Sequence, residues 1–225
     1  MFRLIRRLVF LFLASSVLAV WVLRYLPVYV TPLMILRCAQ QKMAGKTVRL
    51  EHRWVPLDQM SAYMPVAVIA SEDQRFLQHR GFDFKEIQNA AIERITGERM
   101  RGGSTISQQT AKNVFLWPRS SWIRKGFEAY FTVLIELFWS KQRIMEVYLN
   151  SIEMGDGIYG VEAVARQNFG CSAGELTRSQ CACIAATLPN PLRMSSRNPS
   201  AYVKKRTRQI MTQMRHIDPF PDHSH

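Results

Sequence analysis

Residues 122–138, Trp122-Ile-Arg-Lys-Gly-Phe-Glu-Ala-Tyr-Phe-Thr-Val-Leu-Ile-Glu-Leu-Phe138, read as a helix, and Lys141-Gln-Arg-Ile-Met-Glu-Val-Tyr-Leu-Asn150 reads as a second one immediately after. The same reading extends in both directions. Upstream, Pro65 opens a helix over Met64–Glu72, because proline is tolerated in the first turn. Gly81 ends the irregular stretch that follows, and Phe84–Ile95 has helical spacing closed by Gly97. Arg101–Thr105 is a glycine-rich loop. Downstream, Gly155, Gly157 and Gly160 break the chain before helices over Val161–Asn168 and Leu176–Leu188, the latter stopped by Pro189-Asn-Pro191. Lys204–Met214 reads as a basic helix, and Asp218–His225 as a frayed tail. Between Cys38 and Leu57 the chain is polar and lacks periodicity, except that Thr47–Trp54 alternates as one short strand would. The fold class expected is mainly α, with no repeats and no low-complexity tract.

The chain has 225 residues, 48% of them hydrophobic, which is enough for a packed core and excludes a disordered polymer. Four cysteines in this length exclude a disulfide-dense mini-protein. The formal net charge is +13, and a basic chain usually meets something acidic: nucleic acid, an anionic membrane or a phosphate-bearing substrate. Charge alone does not choose among them.

The amino terminus narrows the choice. After Met1-Phe-Arg-Leu-Ile-Arg-Arg7, residues Leu8–Leu23 carry no charge. Sixteen helical residues rise only about 24 Å, short of a hydrocarbon core of about 30 Å. Extension to Val30 would span it if Arg24 snorkels, with Trp21, Tyr25 and Tyr29 as an aromatic belt. Arg3, Arg6 and Arg7 place the amino terminus on the cytoplasmic side. Val17-Leu-Ala19 would serve as a signal-peptide cleavage site, but the apolar run continues past it, which favours an uncleaved anchor. The expected division is a basic stub and transmembrane anchor over 1–37, a folded domain over 38–216 and a flexible tail over 217–225. Arg37, Lys42, Lys46 and Arg49 would then meet anionic lipid above the bilayer.

Three segments carry residues suited to chemistry. Glu72 follows the apolar run Val66–Ala70, so desolvation and the helix C-terminal dipole both push its pKa up, as a general base near pH 7 requires. The alternative is an ordinary solvated carboxylate pair with Asp73. In Arg101-Gly-Gly-Ser-Thr-Ile-Ser-Gln-Gln-Thr-Ala-Lys-Asn113, two glycines admit close backbone approach, and Ser104, Gln108, Gln109 and Lys112 offer polar groups at a helix start. It is not a Walker loop, and taken alone a turn before a polar helix is the better reading of it. Arg124 and Glu128 share a helix face, with Lys125 beside them: either a surface ion pair or a carboxylate set among anion-binding cations. His52 and His79 stand alone, so no metal centre is expected. Cys181 and Cys183 read as buried thiols, while Cys171 could pair with either in an oxidising compartment.

Taken in order, these segments resemble the five motifs of the peptidoglycan glycosyltransferase family, shared with the glycosyltransferase module of class A penicillin-binding proteins. The first is Glu72-Asp-x-x-Phe76-x-x-His79-x-Gly81, and the second Gly103-Ser-Thr-Ile-x-Gln-Gln109-x-x-Lys112-Asn113. Arg124-Lys125-x-x-Glu128 is the third, and Lys141-x-x-Ile144-x-Glu146-x-Tyr148-Leu-Asn150 the fourth. Gly157-x-Tyr159-Gly160 to Phe169-Gly170 is the fifth. There are departures: Arg119 stands near the third motif in an unusual register, Asn168 stands where a tyrosine is usual, and Glu153 stands where an amide is.

The resemblance implies a lysozyme-like helical domain with a small membrane-proximal jaw, a single pass in the cell inner membrane and a periplasmic catalytic domain. It implies polymerisation of lipid II into linear β-1,4-linked glycan with inversion and release of undecaprenyl diphosphate. Glu72 would be the general base and Glu128 the second catalytic carboxylate. Lys112, Arg124 and Lys125 would hold the donor pyrophosphate, with Ser104, Gln108, Asn113, His79 and Gln109 as further substrate-binding residues. No cofactor is certain, although a divalent cation (Mg or Mn) beside the donor pyrophosphate belongs to the same picture. Partners are lipid II, the growing lipid-linked strand, the cytoplasmic membrane and cell-wall synthesis or division proteins, and not nucleic acid. No Ser-x-x-Lys occurs, so no transpeptidase activity is expected.

Two rivals follow from the same residues. A glycan-cleaving enzyme would also use two carboxylates, but would not need the cations Lys112, Arg124 and Lys125. A membrane-anchored binding protein would account for the charge but not for five ordered motifs.

Overall fold

The computed structural model describes residues 2–88, 104–118 and 121–221. It is mostly helical. In chain order the elements are α1 (Phe2–Leu23), α2 (Pro32–Met43), β1 (Glu51–His52), a 3₁₀ turn (Leu57–Gln59), α3 (Tyr63–Glu72), α4 (Ile106–Phe115), α5 (Trp122–Phe138) and α6 (Lys141–Ser151). They continue with β2 (Glu153–Gly155), β3 (Ile158–Tyr159), α7 (Val161–Phe169), α8 (Arg178–Thr187) and α9 (Ala201–Gln213). Residues 84–88 are helical, and the rest of the helix expected there lies outside the described residues, as do most of the glycine-rich loop, Arg119 and the end of the tail.

The helix starts follow from short hydroxyl side chains. Thr105, Ser121, Ser140, Thr177 and Ser200 each accept a hydrogen bond from a first-turn N–H, satisfying a donor with no partner inside the helix. Thr105 with Gln108 and Thr177 with Gln180 form complete capping boxes.

The core is built around α3, in which Met64 to Ala70 are all buried. It packs on α8 and α9, while α4 packs between α5 and α6. Burying each large apolar side chain of this kind contributes about 1.5–3 kcal/mol. A small three-stranded sheet, ordered β1-β3-β2, pairs β1 with β3 in parallel and β2 with β3 antiparallel.

Three expectations are corrected. The membrane-length helix does not reach Val30. It ends at Leu23 and gains its length at the other end, taking in Phe2–Arg7, so its 22 residues rise about 33 Å. Second, residues 32–43 are helical, because Thr31 caps a helix with Pro32 in its first position; their apolar and polar halves hid the period. Third, the alternating stretch keeps only two residues in a strand.

Helix α1 is long and apolar enough to cross a membrane, and most of it is exposed. One side docks on α5: Phe12 meets Phe127 and Tyr130, and Ser16 Oγ lies 2.7 Å from Tyr130 Oη. Arg37 turns inward, not toward lipid, and pairs with Glu153 at 3.0 Å. That pairing gives Glu153 a charged partner. All four cysteines are free thiols, and burial pushes Cys181 up to about 12.

Candidate active site

Helix α3 is buried from Met64 to Ala70 and ends at Glu72, so the apolar core delivers that carboxylate to its partly exposed edge. The next residue, Asp73, turns the other way into an extended conformation. Its Oδ2 accepts from the N–H of Ile106 at 3.0 Å, at the positive N-terminal end of α4. His79 Nε2 lies 3.0 Å from Asp73 Oδ1. His79 is therefore not isolated: it is buried against Asp73. The adjacent carboxylates divide: Asp73 locks α3 to the start of α4, and Glu72 takes no part in that joint.

Gly81 closes this arrangement. Its φ is +87°, and a Cβ there would come within 2.7 Å of Thr132 Cγ2 on α5. Its carbonyl accepts from Thr105 Oγ1 at 2.6 Å, so the α3 turn, the start of α4 and α5 meet at one point.

On α4, Gln109 and Lys112 are three residues apart and share a face. Gln109 Nε2 donates to Glu72 Oε2 at 3.1 Å, and Ser71 Oγ donates to Oε1 at 3.1 Å. Tyr148 on α6 donates its hydroxyl to Gln109 Oε1 at 3.2 Å, which orients the amide. Burial raises the Tyr148 pKa well above its usual value, so it stays a donor. Burial also raises Glu72, and the hydrogen bonds from Gln109 and Ser71 oppose that shift only in part. A carboxylate raised in this way is a stronger proton acceptor than an ordinary one.

The cations assemble on α5. Glu128 is 3% exposed and accepts from Arg124 Nη1 at 2.8 Å and, through its other oxygen, from Lys125 Nζ. The Arg124 Nε is buried without a hydrogen-bond partner among the described residues. Lys112 lies within electrostatic reach of Glu128, Arg124, Lys125 and Glu72, and burial lowers its pKa. Three cations around one carboxylate leave positive charge over, which suits an anion. They do not suit a divalent metal, since both Glu128 oxygens are already engaged.

The remaining expected residues are spread more widely. Ser104 is exposed, and its carbonyl lies 3.5 Å from Gln109 Nε2. Gln108 is turned into the capping box with Thr105, and Asn113 is buried on α4. Asn168 donates to Ser196 Oγ at 2.8 Å. Arg206 on α9 approaches the Ser71 carbonyl at 3.5 Å and favours the ionised form of Glu72. Nothing local in the sequence marks Arg206 among the charges of its basic helix. Tyr148 was visible only as a motif position.

Comparison with known proteins places the chain in a family. Residues 40–215 match the family model described as Transglycosylase. A protein of Bacteroides thetaiotaomicron named biosynthetic peptidoglycan transglycosylase is 59% identical, over 97% of this chain and 88% of its own length. Proteins of the same name from Caulobacter vibrioides and Pseudomonas putida are 53% and 49% identical, over 92% and 94% of this chain and 90% of their own lengths. The chain belongs to the biosynthetic peptidoglycan transglycosylases, a family of glycosyltransferases of cell-wall synthesis.

Proposed function

We propose that this enzyme polymerises lipid II into linear β-1,4-linked glycan, using the lipid-linked strand as donor and lipid II as acceptor. The observation that supports this reading is that α4 bonds Glu72 through Gln109 and carries Lys112 one turn on, within electrostatic reach of Glu72 and of the Arg124–Glu128–Lys125 group. Glu72 takes the proton from the acceptor 4-hydroxyl as its oxygen attacks the donor anomeric carbon. The bond from that carbon to the pyrophosphate breaks, and undecaprenyl diphosphate leaves. The leaving group is already a stabilised anion, so cations serve it better than an acid does. Lys112, Arg124 and Lys125 hold it, and Glu128 orients the last two. Attack from the opposite face inverts the anomeric centre. Ser104, Gln108, Asn113 and His79 shape the cleft, His79 through its contact with Asp73.

In the same reading α1 is a single inner-membrane anchor with its arginines inside. Residues 38–216 form the periplasmic catalytic domain, and transpeptidation is not among its activities. The test is to incubate the purified enzyme with lipid II and digest the product with a muramidase specific for β-1,4 links. Disaccharide-peptide units, together with free undecaprenyl diphosphate, are expected. Shortening of added glycan without new polymer would favour a lytic enzyme.

A further inference from the structure

The end of α1 is held by one side chain of the catalytic domain. Arg143, in the first turn of α6, donates through Nε and Nη2 to the Leu23 carbonyl at 3.2 and 2.8 Å, and through Nη2 also to the Leu26 carbonyl. These carbonyls lie in and just beyond the last turn of α1, where a helix has no internal donors left. At a membrane boundary such groups are costly to leave bare. The guanidinium is fixed from its other side by Glu146, and its carbon lies 5.1 Å from the Trp54 ring centroid and 6.0 Å from that of Trp139. Trp139 adds a further bond, from Nε1 to the Val20 carbonyl at 2.8 Å. The planar fork and the stacking are both features that lysine lacks.

The same helix reaches the active site. Tyr148 lies five residues beyond Arg143, about 7.5 Å along the axis, and holds Gln109, which holds Glu72. One rigid helix therefore carries both the clamp on the end of α1 and the side chain that holds Gln109, which sets the site at a fixed distance from the end of the anchor.

We propose that Arg143 is a positioning residue that fixes the catalytic cleft in height and orientation over the bilayer. It acts by clamping the C-terminal end of α1 to α6. This rests on the reading of the enzyme as a polymerase of a lipid-linked substrate. Such a substrate presents its pyrophosphate at a set level above the membrane, and misplacement by about 1 Å costs up to about a hundredfold in rate. A soluble substrate carries no such constraint.

The test compares full-length wild type and Arg143→Ala, reconstituted in anionic phospholipid vesicles, on two substrates. One is long-chain lipid II embedded in the same vesicles, and the other is a water-soluble lipid II analogue with a short prenyl chain. The expected result is a loss of roughly tenfold or more in kcat on the embedded substrate, with little change on the soluble one. Equal loss on both substrates, or loss on neither, overturns the proposal. Trp139→Phe, which keeps the ring but removes the donor to Val20, is expected to show the same split more weakly. It carries the test if Arg143→Ala does not fold, and absence of the split there is equally contrary. If wild type polymerises neither substrate, the polymerase reading itself fails.

Discussion

Gln109 donates its side-chain amide to Glu72 Oε2 at 3.1 Å, and this bond ties the second motif to the proposed base of the first. The bond has two effects. It aims the carboxylate, and it stabilises the ionised form against the burial that raises the Glu72 pKa.

Replacing Gln109 with leucine removes that stabilisation. The Glu72 pKa is then expected to rise further. Because a base acts in its ionised form, the acid limb of the kcat/KM profile should move to higher pH. A pH–rate series on both proteins measures it, and an unmoved limb would separate Gln109 from the titration.

Glu72 should also cost stability at neutral pH. Its folded pKa lies above the unfolded one, so the folded state is relatively favoured when the group is protonated. That advantage is lost as pH rises from the unfolded pKa through the folded one. Glu72→Gln is therefore expected to melt higher than wild type at pH 8. The gain should shrink toward zero below about pH 4, the ordinary range of the unfolded carboxyl. Thermal melts across pH read both ends of this difference.

Lys112 follows the mirrored rule. Burial lowers its folded pKa, so its charge opposes folding at every pH below that value. Lys112→Met should raise the melting temperature at pH 7 while lowering polymerisation. Donor use should suffer more than acceptor binding, and equal loss at both sites would contradict the assigned role.

Glu128 is the counter-case, because it is buried between Arg124 and Lys125. Glu128→Gln leaves the Arg124 cation in place without its counter-charge, and breaking such a pair costs about 3–5 kcal/mol. A large drop in melting temperature together with lost activity is expected. Lys125→Ala, at the more exposed partner, should lower activity with a much smaller loss of stability.

Much of this was legible in the sequence, for physical reasons that differ by element. Trp122–Phe138 is amphipathic at helical period, and its observed bounds coincide with the expected ones. The place of Glu72 at a helix end was legible from the apolar run before it, since that run becomes α3. Helix α2 was not legible, because it joins an apolar half to a polar one. The sheet was missed because its strands are two or three residues long and are fixed by partners distant in sequence. Arg206 and Arg143 were missed for a related reason. Each is one basic residue among many, and its role comes from a carbonyl more than a hundred residues away.

The most direct test of the central claim is to give fluorescent lipid II to the detergent-purified enzyme and to its Glu72→Gln variant, and to resolve the products on a gel. The amide keeps the shape of the side chain but cannot take the proton, and a general base is worth about 10²–10⁴ in rate. A ladder of glycan chains from wild type, with none from a folded variant that still binds lipid II, is the predicted result. A ladder of near-wild-type intensity from Glu72→Gln would contradict the assignment of Glu72 as the base.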